Sequence, residues 1–201
     1  MFTALAATSQ TLSDFLRNQY SIDPTLGTFF GGGGGMVVTL NNPEEMELDT
    51  QEGVSIWLYR VNRDEDMLNR PMQRLNALQV RYPPLPLRLH YLITPIINRS
   101  ATGSAQTEQI ILGKALQLLH DHPRFRGADL SGDFQGTEVE LHVRLEPMTL
   151  EEITRVWDAL DRSYQLSVSY EVSLVDIDSS RIDSLIPVQE VVPQTGTVVG
   201  G

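Results

Sequence analysis

The chain has 201 residues, of which 41% are apolar, so it is long and apolar enough to bury the core of one domain. It contains no cysteine, which excludes a disulfide scaffold, a thiol nucleophile and a Cys-ligated zinc site. A formal net charge of -11 argues against general binding of nucleic acid, which needs a broad positive field.

The first predicted element is a helix over residues 2–17, where apolar residues recur at three- and four-residue intervals. The run Gly31–Gly35 follows and predicts a flexible loop or hinge, because glycine has the greatest backbone freedom. A short strand is expected at residues 37–40 and a longer one at residues 54–61. The longer strand has apolar residues on both faces, so both faces should be covered and its Trp57 should lie in the core.

Residues 64–84 are predicted to be a long polar connection, which ends in the extended backbone of the Pro83-Pro84 pair. An alternating strand follows at residues 85–93. The turn at residues 102–104 then begins a helix that ends before Pro123. This connection is long enough for either a parallel crossover or an antiparallel return.

The C-terminal part shows the clearest alternation, at residues 137–145, which predicts a strand with one core face. Thr149 and Glu152 form a capping box, so a helix should begin there, with Trp157 in its apolar stripe. A last strand is expected at residues 166–177. The elements together predict an α+β single domain over residues 1–178, with a mixed, mostly antiparallel sheet packed by about three helices.

Residues 179–201 form a separate C-terminal segment, with two prolines, three glycines and too few apolar residues for a core. Such a segment is either a disordered tail or an extended arm that adds to a neighbour's sheet or groove. The apolar residues around Pro187 and Pro193 favour the arm.

The charge is unevenly distributed along the chain. Residues 1–59 contain one arginine and seven acids, residues 60–100 seven arginines and three acids, and residues 101–201 seven bases and sixteen acids. The basic block consists of Arg60, Arg63, Arg70, Arg74, Arg81, Arg88 and Arg99. Arginine suits interfaces, because its planar fork pairs with carboxylates in two contacts. A general preference for arginine codons and a solvated loop explain the block equally well.

The sequence offers little for catalysis, a cofactor or a metal, and we expect none of the three. The glycine run lacks the Gly-Lys-Ser/Thr of a phosphate loop. His120 and His122 are explained by the helix end, where the dipole favours histidine. Glu140 and His142 share the outer face of a strand, but no nucleophile motif accompanies them. The N-terminus does not resemble an export signal, and no segment approaches the roughly 20 apolar residues that span a bilayer.

An ordered series of motifs resembles one bacterial family, first catalogued as a domain of unknown function. The motifs are SIWLYRV at 55–61, LNRP at 68–71, PLPLRLHYLIT at 84–94, LGKALQLLHDHP at 112–123 and LEPMTLEE at 145–152, followed by Trp157, Leu160 and residues 167–175. The resemblance covers residues 1–178. The family resembles the cap, or tube-terminator, proteins of extracellular contractile injection systems, which are phage-tail-like particles of the antifeeding-prophage type.

The resemblance implies a non-enzymatic structural protein that forms a hexameric ring at the end of the inner tube and sheath. Its partners would be copies of itself and the tube and sheath proteins, without nucleic acid or membrane attachment, after assembly in the cytoplasm. Arg63, Arg70, Arg74 and Arg81 are then expected at or near a subunit, tube or sheath contact. The arm is expected to reach another chain through Ile186, Val188, Val191 and Val192.

Two alternatives to this interpretation remain. A phage tail terminator or neck-joining protein has similar structural demands, and the neighbouring genes would distinguish it. An enzyme is the more distant alternative, and it would require a concave site with converging titratable groups.

Overall fold

A computed structural model describes residues 1–98 and 103–185 of the chain. The helices are α1 (Ala4–Ile22), α2 (Gly27–Phe30), α3 (Pro43–Leu48), α4 (Ser104–Asp121) and α5 (Leu150–Asp158). The strands are β1 (Val37–Thr39), β2 (Gly53–Arg63), β3 (Gln73–Asn76), β4 (Gln79–Arg81), β5 (Leu85–Ile96), β6 (Arg124–Arg126), β7 (Glu140–Glu146), β8 (Val168–Ile177) and β9 (Ile182–Ser184). Short 3-10 turns begin at Glu65, Gly127 and Gly132.

The main sheet has six strands in the order β1-β2-β5-β8-β7-β6. Only β1 and β2 are parallel, and all the other neighbours are antiparallel, which confirms the predicted mixed, mostly antiparallel α+β architecture. Because β8 inserts between β5 and β7, those two strands run in the same direction without touching. The connection from β5 to β7, the next strand that the sequence predicted, is therefore a parallel crossover, one of the two possibilities left open. Within it, α4 leads first to the short β6, which pairs antiparallel with β7.

One face of the main sheet carries the larger core, against α1 and α4. Leu12, Leu16 and Ile111 of these helices are buried in it, together with Ile56 of β2. The predicted N-terminal helix is confirmed, but it begins at Ala4 rather than at residue 2. Phe2 therefore does not belong to the apolar stripe and is 89% exposed.

The other face of the sheet is covered only in part, by α5 and α3. Trp157 of α5 is fully buried against Leu92 of β5, which confirms its predicted place in the core, and Trp57 is only partly buried beside it. The predicted capping box is also confirmed. Thr149 Oγ1 accepts a hydrogen bond from Glu152 N at 3.2 Å, and Glu152 Oε2 accepts one from Thr149 N at 2.8 Å.

There are five helices in the described residues, rather than the three predicted. The prediction missed α3, which lies between the two predicted strands at residues 37–40 and 54–61. Its signal is present in the sequence: Asn42 and Glu45 form a second capping box, and Pro43 occupies the first helical position. The short α2 between the Asp23-Pro24 break and the glycine run was also missed, because four residues are too few for a periodic pattern.

The long polar connection predicted at residues 64–84 contains two strands that the sequence did not predict. Residues 73–81 form a hairpin of β3 and β4, and β9 adds to β4 as a third antiparallel strand. We call β3, β4 and β9 the small sheet. The partner strand β9 lies about 100 residues further along the chain, and its pairing is invisible to any local pattern.

The glycine run forms a turn in which individual glycines have different roles. Gly34 N donates to Gly31 O at 2.9 Å, and Met36 N donates to Phe29 O at 3.0 Å. A Cβ at Gly34 would collide with the carbonyl oxygen of Phe29, whereas a Cβ at Gly33 would have nothing within 4 Å. The flexibility predicted for this segment stays a prediction, but its close approach at Gly34 requires glycine.

We expect Gly34→Ala to lower the free energy of unfolding by about 1–3 kcal/mol, because the turn must shift to admit the methyl group. The matched variant Gly33→Ala should instead be neutral or stabilise by about 0.4–1 kcal/mol, since it only restricts the unfolded chain. Urea titrations of both variants measure the difference. Equal effects of the two changes would show that the turn does not form as described.

Candidate functional site

The uncovered part of the second sheet face carries a network of polar side chains. Arg60, His90, Glu171 and Arg144 are register partners across β2, β5, β8 and β7, so they form one row across four strands. His90 is only 3% exposed, and Arg60, Asn62 and Glu146 lie within hydrogen-bonding distance of its ring. A shift in register after Leu58 brings the next two side chains, Tyr59 and Arg60, to the same face.

Glu146 is the centre of this network. Its Oε1 accepts a hydrogen bond from Arg60 Nη2 at 2.6 Å, and its Oε2 accepts one from Ser169 Oγ at 2.6 Å. His90 Nδ1 lies 3.0 Å from Oε2, and the Tyr59 hydroxyl donates to the same oxygen at 3.3 Å. These groups come from β2, β5, β7 and β8, so their contact could not be predicted from residue spacing in the sequence.

The network holds the Glu146 carboxylate in its charged form. Burial raises its pKa, but the hydrogen bonds from Ser169 and His90 and the charge of Arg60 outweigh burial, so the pKa of Glu146 lies below its ordinary value. Burial raises the pKa of the Tyr59 hydroxyl. Both shifts stabilise the form in which Tyr59 is a donor and Glu146 an acceptor.

The arrangement does not form a nucleophile with its base. The His90 ring is held from both sides, since its Nδ1 lies 2.9 Å from Arg60 Nη2 and 3.0 Å from Glu146 Oε2, and its Nε2 lies 3.2 Å from Asn62 Nδ2. Ser169 bonds to Glu146 and Tyr59 rather than to His90. The carboxylate that accepts the Ser169 hydroxyl is a weak general base, because the pKa of Glu146 is lowered and its other oxygen pairs with Arg60.

A shallow cleft of about 390 Å³ opens beside the network, between β2 and α5. Trp57, Tyr59 and Met148 contribute apolar walls, and Arg60 and Arg155 contribute charge. The described residues contain no group of three or more His, Asp or Glu placed to hold a metal ion. Glu140 and His142 pair with each other at 2.8 Å on the outer face of β7.

The four predicted contact arginines all lie in or next to the small sheet. Arg63 ends β2 and is exposed, while Arg74 and Arg81 belong to β3 and β4. Within the described residues these three form no ion pair, and Arg74 donates only to the Asn76 and Ala77 carbonyls at 3.3 Å. Arg70 differs, because it forms an ion pair with Asp176 of β8 and so connects the small sheet to the main one.

The other arginines of the basic block are neutralised within the chain. Arg60 pairs with Glu146, and Arg88 pairs with Asp64 at 2.9 Å and Asp66 at 2.6 Å. Arg99 lies outside the described residues. The free positive charge of the block is therefore concentrated at Arg63, Arg74 and Arg81.

The small sheet also exposes apolar side chains. Large apolar residues with at least about a third of their surface exposed lie in its strands, at Leu75 and Ile182, and next to them, at Leu68, Met72, Leu78 and Leu185. Apolar residues clustered with arginine are typical of protein interfaces rather than of free surface. This combination makes the small sheet the strongest candidate contact surface of the described residues.

The first part of the predicted arm lies on this sheet. Residues Ile182–Ser184 pair with β4, and Leu185 N donates to Leu78 O at 2.6 Å. The Arg181 guanidinium lies 3.9 Å above the Tyr82 ring, and a hydrogen bond to Asp183 raises the pKa of the Tyr82 hydroxyl. The predicted contact residues Ile186, Val188, Val191 and Val192 lie outside the described residues.

Comparison with known proteins identifies what this fold is similar to. A family model described as the Pvc16 N-terminal domain matches residues 7–190. No curated protein matches the chain. No helix in the described residues is long and apolar enough to cross a membrane.

Two solved structures share the fold. One is the PVC sheath/tube terminator of an extracellular contractile injection system in its extended state, with a TM-score of 0.61 and 17% identity over 96% of this chain. The other is the tube-terminating cap of the anti-feeding prophage, with a TM-score of 0.59 and 16% identity over 97% of this chain. The chain spans 64% and 61% of the length of those two proteins.

Proposed function

The chain belongs to the Pvc16 N-terminal domain family, and from this premise we propose that it is a structural cap that terminates the inner tube and sheath of a contractile injection system. The observation that carries the proposal is the fold. Almost the whole chain, 96% and 97% of it, superposes on a sheath/tube terminator and on a tube-terminating cap. Family membership and fold lead independently to the same class of protein.

We further propose that the cap is a hexameric ring whose subunits contact one another and the ends of the tube and sheath. A closed ring of identical subunits needs two different surfaces on each subunit, which meet across every interface. The small sheet, with its exposed apolar side chains and free arginines, supplies one such surface. Arg63, Arg74 and Arg81 are proposed to lie at this contact, with Arg70 holding the sheet in place.

Residues 186–201 are proposed to reach another chain in the assembly. The support comes from where the described chain ends. Leu185 bonds to Leu78 at the turn of the hairpin, so the remaining residues start from the tip of the small sheet. An arm that starts at a contact surface can add to the neighbouring subunit at high effective concentration.

The proposed role is without catalysis, and assembly is proposed to take place in the cytoplasm before the particle is complete. Support for the absence of catalysis comes from the polar network, where Ser169 donates to Glu146, a carboxylate with a lowered pKa that also pairs with Arg60. The network instead joins β2, β5, β7 and β8 through hydrogen bonds and ion pairs. Such cross-strand contacts stabilise a sheet that must carry load from its neighbours.

Electron microscopy of particles produced without this chain tests the proposed function. We expect sheathed tubes of uncontrolled length, or tubes too unstable to isolate, since nothing would stop addition at the end. Supplying the chain from a plasmid should restore capped particles of uniform length. Normal capped particles in the absence of the chain would refute the proposal.

A further inference from the structure

The two ends of the main sheet carry surfaces of opposite character. At one end, Arg63 closes β2 opposite Leu87 of β5, and the small sheet continues from there. At the other end, Gly53 opens β2 opposite Ile96. Because β2 has 11 residues, the two ends are about 35 Å apart.

The small sheet is the basic end. Residues 68–82 include three arginines and no acidic residue, and two of the three have no ion-pair partner within the described chain. Met72, Leu75 and Leu78 expose 37–53% of their surface on the same hairpin. A surface of this kind is matched by a partner that combines carboxylates with exposed apolar groups.

The opposite end of the main sheet combines carboxylates with exposed apolar side chains. We call residues 43–52 and 158–166 the acidic end. Residues 43–52 contain five acids and no base. The second segment contacts the first through Glu47, which accepts a hydrogen bond from Gln165 Nε2 at 2.5 Å and pairs with Arg162 Nη1 at 3.2 Å. Asp49, Asp158 and Asp161 make no ion pair within the described residues, so their charge is free for a partner.

The acidic end is also apolar at its surface. Leu48 exposes 69%, Tyr164 43% and Leu166 38%. Its complementarity to the small sheet therefore has two parts, apolar contact and opposite charge. Since the two surfaces lie at opposite ends of one molecule, copies can join head to tail, which is the arrangement that closes into a ring when the rotation is right.

We propose that the small sheet of one copy binds the acidic end of the next copy of this chain. The inference rests on the proposed function and deepens it, because it names which two surfaces of the subunit form the interface of the ring. Arg74 faces the carboxylates of Asp49 and Asp158 across that contact, and Leu78 packs against the apolar side chains of the acidic end. Arg81 pairs with Gln73 in the register and so lies on the opposite face of the hairpin from Arg74, where it adds to the positive field of the same end.

Charge exchange between the ends tests the proposal on the purified full chain. One variant carries Arg74→Glu and Arg81→Glu, and a second carries Asp49→Lys and Asp158→Lys. Each variant alone should associate more than about 100-fold more weakly than the natural chain, because like charges face each other at every contact. Mass measurement by analytical ultracentrifugation gives the association constant.

An equimolar mixture of the two variants makes the test specific. In a ring with an even number of subunits the variants can alternate, and every contact then joins opposite charges again. The mixture should recover the mass and the affinity of the natural chain, and a chain that carries all four substitutions should recover them by itself. Association of the natural chain should also weaken at about 1 M salt, where the Debye length falls to about 3 Å.

The control variant carries Arg124→Glu and Arg126→Glu on the edge strand β6, which belongs to neither the small sheet nor the acidic end. Its net charge changes by the same amount as that of the small-sheet variant. It should associate like the natural chain, and unfolding midpoints should confirm that all variants fold. A natural chain that stays monomeric at high concentration, or variants that associate normally, would overturn the proposal. So would a loss of association that mixing does not repair, because the two surfaces would then both affect association without facing each other.

This outcome is separate from that of the proposed function. Cells in which the charge variants still produce capped particles would contradict the interface and leave the cap role intact. Normal capped particles from cells that lack the chain would contradict the cap role itself.

Discussion

Replacing Trp157 with alanine is expected to lower the free energy of unfolding by about 3–5 kcal/mol. The indole is fully buried and is the centre of the smaller core, with Leu92 of β5 and Ile153 and Leu160 of the α5 region around it. Its Nε1 also donates to Ser167 Oγ at 3.1 Å. Alanine leaves a cavity that these residues fill only in part, because α5 is fixed at its start by the capping box.

Urea titration with circular dichroism measures the Trp157 effect. Trp157→Phe should cost clearly less, since it retains most of the buried ring and Ser167 keeps a second hydrogen bond to the Gln165 carbonyl. Phe2→Ala is the control for an aromatic residue outside the core, because Phe2 is 89% exposed, and it should change stability by less than about 0.5 kcal/mol. A similar loss for Phe2 and Trp157 would contradict the packing of α5 on the sheet.

Removing the carboxylate of Glu146 is expected to lower the free energy of unfolding by about 2–3 kcal/mol near neutral pH. Glu146→Ala leaves His90 and Ser169 without their shared acceptor and the Arg60 charge without its partner. The matched control is Glu151→Ala, since Glu151 also pairs with an arginine but is 75% exposed. Exposed pairs of this kind contribute little, so the control should cost less than about 1 kcal/mol.

The loss of unfolding free energy caused by replacing Glu146 should become smaller as the pH falls. The pKa of Glu146 is lower in the folded chain than in the unfolded one, so its ionisation stabilises the fold above the unfolded value, near pH 4.3. That contribution decreases as the pH falls through the folded pKa. The difference in unfolding free energy between the natural chain and Glu146→Gln should therefore shrink on acidification, and a difference that grows would contradict the network.

The elements with strong local signals could be predicted from the sequence. The alternation at residues 137–145 anticipated β7, in which Leu141 and Val143 are buried, and the capping box at Thr149 located the start of α5. No helix was predicted at α3, although Asn42 and Glu45 form an equally good capping box, because that segment was interpreted only as the connection between two strands. The missing step was interpretation, since the signal was present.

The candidate contact surface could be predicted only in outline. The uneven charge identified the block of arginines, and the family resemblance assigned it to a contact. The sequence could not separate Arg63, Arg74 and Arg81 from Arg60, Arg70 and Arg88, which have the same side chain and similar flanking residues. The carboxylates that neutralise the second group include Glu146 and Asp176, which lie over 80 residues away along the chain.

Composition and local periodicity by themselves determined the class of this protein, an acidic, cysteine-free α+β domain with one basic block. They also predicted a separate C-terminal segment at residues 179–201, of which Ile182–Ser184 pair with β4 in the folded chain. Only the tertiary structure decided that β8 inserts between β5 and β7, that β9 completes the small sheet, and that charge remains free at two opposite ends. The physical reason is that helix caps and strand alternation depend on neighbours within a few residues. Strand pairing and charge neutralisation depend on residues that only the folded chain brings together.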